Sequence, residues 1–75
     1  MNLTEVLPYI EFQIESIGDS TLEIKLLELG FSVGSNLELV RKAPFNGPLT
    51  IRNSKAQIIL RNEDALLVHG TSNRI

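Results

Sequence analysis

The chain has 75 residues, a formal net charge of -2, 43% hydrophobic and 21% charged residues, and no cysteine. Those proportions fit one globular domain with a thin core, because a chain of this size buries only about 60% of the surface that its unfolded form exposes. They exclude a disulfide-stapled mini-protein, a cysteine-ligated zinc finger and a thiol nucleophile, and the acidic balance argues against a general nucleic-acid clamp, which needs a basic face.

No apolar run approaches the length of a membrane span, and Met1-Asn2-Leu3-Thr4-Glu5 lacks the basic start of an export signal. A soluble cytoplasmic domain is the expectation, with no direct membrane insertion. Charge is divided along the chain. Residues 1–38 sum to -6, with Lys25 as the one base, and residues 39–75 sum to +4. In a small barrel the two halves interleave, so opposite charges are expected to meet across neighbouring strands.

In chain order, Ile10, Phe12 and Ile14 alternate with Glu11, Gln13 and Glu15. A period of two is a half-buried strand with its acids in water. Ile17-Gly18-Asp19 ends it. Ser20-Thr21-Leu22-Glu23 has the spacing of a capping box, which predicts Ser20 as N-cap and a helix from Thr21. Gly30 closes that helix, since the residue after a helix end often needs positive φ. At 100° per residue, Leu22, Leu26 and Leu29 fall within about 60° of one another and form the predicted core stripe. Ile24 and Leu27 lie on the opposite side. Either a loop covers them or they form an exposed apolar patch.

The second half reads as strands again. Leu37, Leu39 and Val40 make one, and Leu49 to Arg52 the next. Asn53-Ser54-Lys55 is a tight turn, residues 56–60 a short apolar strand, and residues 62–65 a turn or single 3₁₀ turn. Leu66-Leu67-Val68 is predicted as the last strand, with residues 70–75 a frayed tail. Between the second and third strands, Asn46-Gly47 is a hairpin signal flanked by Pro44 and Pro48. Proline has no N–H for a ladder, so a splayed, rigid loop is expected there. Phe45 either folds back to cap the barrel mouth, the favoured expectation, or projects. Five short strands point to a mainly β fold, a small closed or nearly closed barrel.

The residues offer little for catalysis. His69 is the single histidine, and neither a nucleophile elbow nor a phosphate loop is present. The expectation is a non-enzyme without a cofactor. His69 with Glu63 and Asp64 is the best available metal-ligand set, and it is poor, because ferrous iron favours defined imidazole and carboxylate clusters. The bland alternative is a partly exposed histidine at a strand end. A polyproline groove lacks the row of aromatics that it needs.

Three segments carry a family resemblance. Ile24-Lys25-Leu26-Leu27-Glu28-Leu29-Gly30-Phe31-Ser32-Val33-Gly34-Ser35 is similar to the helix-and-turn signature of FeoA, the small ferrous-iron-transport accessory family. Arg41 to Ile51 resembles the family's Ala-Pro loop between strands, and Ile58 to Ala65 its closing Leu-Arg segment. The resemblance covers roughly residues 3–68. Lys25 stands where arginine is usual, and Val33-Gly34 where Pro-Gly is usual.

The resemblance implies an SH3-like β-barrel with one helix inserted after the first strand. It implies a transport accessory acting beside the membrane GTPase permease FeoB, recruited to the inner face of the membrane through that partner. The alternative is a free-standing regulatory or transition-metal-binding domain, related to the C-terminal domain of metal-dependent repressors. The expected docking surface combines Ile24, Leu27 and Phe45, with Arg41 and Arg61 (and Lys42 and Arg52 beside them) as a basic rim. Its occupant is the cytoplasmic GTPase domain or a second copy of this chain. No nucleic-acid partner is expected.

Overall fold

The computed structural model describes residues 1–72. A 3₁₀ turn at Leu3–Glu5 leads into β1 (Glu11–Ile17), α1 (Ser20–Glu28), β2 (Asn36–Lys42), β3 (Leu49–Arg52), β4 (Gln57–Leu60), α2 (Asn62–Ala65) and β5 (Val68–Ser72). The strands form one antiparallel sheet in the order β4-β3-β2-β1-β5. β4 and β5 are its two edges and do not pair with each other. The sheet is therefore open, and the expected barrel closure is corrected. It curls instead, because every strand sends residues into a single core: Phe12 and Ile14, Leu37 and Leu39, Leu49 and Ile51, Leu60, and Val68.

α1 lies over that core through Leu22 and Leu26. Its ends differ in part from expectation. Asp19, not Ser20, is the N-cap; its carboxylate accepts the Leu22 N–H at 2.9 Å. At the other end Gly30 has φ +96°, Gly30 N–H donates to Leu27 and Phe31 N–H to Leu26. That pair of bonds is a Schellman motif, and it needs the left-handed conformation that glycine adopts freely. It turns the chain so that Phe31 packs fully buried in the core. Leu29 is the C-cap and is 42% exposed, so its place in the core stripe is corrected. The helical spacing that aligned it with Leu26 stops at Glu28.

The strand ends hold two further corrections. Residues 70–72, expected to fray, belong to β5 and pair with Phe12, Gln13 and Ile14; Leu66 and Leu67 precede that strand. Residues 73–75 of the expected tail lie outside the described residues. The segment 43–48 is a tight turn and not a splayed loop. Gly47 N–H donates to Pro44 and Ala43 N–H to the Pro48 carbonyl, with Phe45 and Asn46 both at positive φ. Had Asn46-Gly47 been the central pair, Pro48 would have had to donate an N–H that it lacks. The turn sits one residue earlier, where Gly47 supplies the donor.

Candidate functional site

The two halves of the charge pattern meet where the register brings them together. Glu38 on β2 lies opposite Arg52 on β3, and the guanidinium donates to the carboxylate at 3.1 Å. The Tyr9 ring lies 5.6 Å from the same guanidinium. Glu38 and Arg52 border a cleft of about 640 Å³ lined also by Ser32, Ser35, Asn53 and Lys55. Arg52 is thus held by a carboxylate and a ring. The aromatic partner of this pair was not legible in the sequence, where Tyr9 stands far from Arg52 and outside any strand.

Ile24 and Leu27 are each 58% exposed. Of the two readings left open for α1, the exposed one holds. α1 buries Leu22 and Leu26 and turns two large aliphatic side chains to water on the opposite side. Phe45 is 99% exposed, which corrects the expectation that it caps the core. The type I′ geometry lifts it off the sheet: a side chain at the first central position of so tight a turn points away from both strands.

The structure does not bring Phe45 beside α1. Gly30, just past α1, accepts the Asn53 amide beside the start of β2, whereas Phe45 lies beyond its end. A seven-residue strand spans about 20 Å, so the two apolar features lie at opposite ends of the sheet. Arg41 is exposed on β2 near the Phe45 end. Arg61 precedes α2 and pairs with Asp64 at 3.2 Å. Lys42 donates to the Thr4 carbonyl at 2.6 Å, tying β2 to the 3₁₀ turn.

The candidate metal ligands stay apart. His69 is exposed on β5 opposite Ser16, Glu63 is exposed on α2, and Asp64 is engaged by Arg61. Among the described residues no three histidine, cysteine or carboxylate side chains gather, so the set does not fit a metal centre. Nor is any polar or charged residue buried among them. No described helix is long and apolar enough to cross a membrane.

The FeoA domain family matches residues 1–70. No curated protein matches the chain significantly in sequence. Iron(II) transport protein A from Clostridium thermocellum superposes with a TM-score of 0.86 at 28% identity, over 97% of this chain and 46% of that one. The chain thus spans less than half of that relative's length. FeoA of Stenotrophomonas maltophilia, a prokaryotic SH3 domain protein complexed with zinc, gives 0.78 at 28% identity, over 95% and 89% of the two chains. The manganese regulator SloR gives 0.81 at 16% identity, over 97% of this chain and 34% of its own, a likeness of fold.

Proposed function

The chain belongs to the FeoA family, and from that premise we propose that it is a non-enzymatic cytoplasmic accessory of ferrous iron uptake that docks on the GTPase domain of a FeoB-type permease. One observation carries the docking surface: α1 holds Ile24 and Leu27 in water while its other side is sealed into the core. Burying a Leu or Ile side chain is worth roughly 1.5–3 kcal/mol. Two such anchors support a transient contact once the cost of association is subtracted. Phe45 is a second contact point at the far end of the sheet. Arg41 and Arg61 are rim charges, which chiefly set the rate of encounter. The test is a titration against the GTPase domain of the cognate permease. Ile24→Glu and Leu27→Glu should each weaken binding; unchanged affinity, with the circular dichroism spectrum intact, overturns the reading.

The second reading is a free-standing regulatory or metal-binding domain. The likeness of fold to SloR favours it. The titration against the GTPase domain separates the two, because a free-standing domain does not bind it at any concentration.

A further inference from the structure

None of Ile24, Leu27 and Phe45 lines the cleft bordered by Glu38 and Arg52, so the cleft stands apart from the proposed docking surface. Its walls are fixed by hydrogen bonds of their own. On one side Ser35 donates through its N–H and its hydroxyl to the Ser32 carbonyl, at 3.0 and 2.6 Å. On the other, Asn53 accepts the Lys55 and Ala56 N–H groups and donates to the Gly30 carbonyl. The volume of about 640 Å³ lies within the range of small-molecule sites.

Charge runs across the cleft in one direction. Glu11 on β1 lies opposite Glu38 on β2, and Glu38 opposite Arg52 on β3. Lys55 follows in the β3–β4 turn. The acids thus stand toward one end and the bases toward the other, and these lining charges sum to zero. Arg52 is held by its neighbours. Its Nε donates to Glu38 at 3.1 Å, and its guanidinium carbon lies 5.6 Å from the centre of the Tyr9 ring. Its two terminal nitrogens make no hydrogen bond among the described residues, and neither does the Lys55 ammonium. A guanidinium fixed along one edge and free along another is ready to receive a planar anion with two oxygens, because its parallel N–H groups match that geometry.

We propose that the Arg52–Lys55 end of this cleft binds a carboxylate, taken by the two terminal nitrogens of Arg52 and completed by the Lys55 ammonium. Charge favours a single negative charge over a double one. Glu38 already occupies the Nε edge of Arg52, so a dianion meets a repulsion that a monoanion largely escapes. Glu11 stands two strands from Arg52, about 10 Å away. A carboxylate fills only a small part of the volume. The rest of the ligand lies along Ser32, Asn36 and Ser54, which offer hydroxyl and amide groups, so it is polar. The ligand is a small polar monocarboxylic acid or the free end of a peptide, which presents the same group.

Heteronuclear NMR of the full chain, titrated with N-acetylglycine through the millimolar range, tests this. Saturable shifts should appear at the Arg52 and Lys55 amides and at the Arg52 Nε–H, and none at Leu27. N-acetylglycinamide, the same polar body without the charge, should give no saturable shift, and sulfate should bind more weakly than N-acetylglycine. Arg52→Lys keeps the charge and loses the fork, so it should raise the dissociation constant about tenfold. Lys55→Gln should raise it about threefold. A short Gly-Ser peptide with a free C-terminus separates the two sources: tighter binding than N-acetylglycine assigns the cleft to a chain end, and weaker binding assigns it to a small acid. Shifts that do not saturate, sulfate bound as tightly as the carboxylate, or an unchanged affinity in Arg52→Lys with the fold intact overturns the proposal.

Discussion

The Asn53 side-chain amide donates to the Gly30 carbonyl across 2.8 Å, fastening the β3–β4 turn to the end of α1. The same side chain accepts the N–H groups of Lys55 and Ala56, each at 2.8 Å. One residue thus closes a turn and anchors a helix terminus. Asn53→Ala removes all three bonds. Two are exposed and the bond from Ala56 is partly buried, so their joint loss should lower stability by about 1–3 kcal/mol. Ser54→Ala, next to it and exposed, should change stability by less than about 0.5 kcal/mol. Urea denaturation of the two variants checks the contrast.

At Gly70, β5 lies against β1 with no room for a side chain. A Cβ there would lie 1.9 Å from the Gln13 carbonyl oxygen and 2.8 Å from the Phe12 ring. The first of these is backbone and cannot swing aside. Gly70→Ala must therefore part β5 from β1, and it also presses on Phe12, which is fully buried. The expected result is a loss above about 3 kcal/mol, a large part of the stability of so small a domain. Thermal unfolding by circular dichroism would show it as a transition shifted far down or absent.

The same glycine explains why the last strand was hard to read. His69-Gly70-Thr71-Ser72 is polar and glycine-bearing, which by local preference reads as a tail. It is a strand because the missing side chain lets it lie against Phe12 and Gln13, a tertiary fact with no local signal. β1 was legible because its alternation is set by one buried face. The end of α1 was legible because Gly30 answers a backbone need and not a packing one. Phe45 was not: its exposure follows from a turn displaced by one residue, and Pro48 forces that displacement through a bond that cannot form. Of the candidate site, helical spacing set Ile24 and Leu27 opposite the core stripe but left open whether a loop covers them.

Asp19 and Ser20 are both good capping residues, and sequence spacing favoured the second. In the structure the Asp19 carboxylate accepts the Leu22 N–H, whereas Ser20 is the first residue of the helix. A capping side chain is worth roughly 1 kcal/mol, and a carboxylate also meets the positive end of the helix dipole. Asp19→Ala should therefore lower stability by about 1 kcal/mol, and Ser20→Ala by much less. A larger loss from Ser20→Ala than from Asp19→Ala would return the cap to Ser20. The midpoint of urea unfolding is the measurement.

Phe45 sits at φ +60°, in the left-handed region that an aromatic side chain seldom occupies, and it is 99% exposed. Neither property helps the fold. Asparagine tolerates that backbone conformation better, so Phe45→Asn should leave stability unchanged or raise it by about 0.5 kcal/mol. On the proposed docking, this side chain serves a contact outside the fold. Phe45→Asn should accordingly weaken binding to the permease GTPase domain. Because Phe45 and Leu27 lie at opposite ends of the sheet, the losses from Phe45→Asn and Leu27→Glu should add to within about 0.5 kcal/mol in the double variant. A larger coupling would mean that one contact rearranges the other, and then α1 and the 43–48 turn would not be independent anchors.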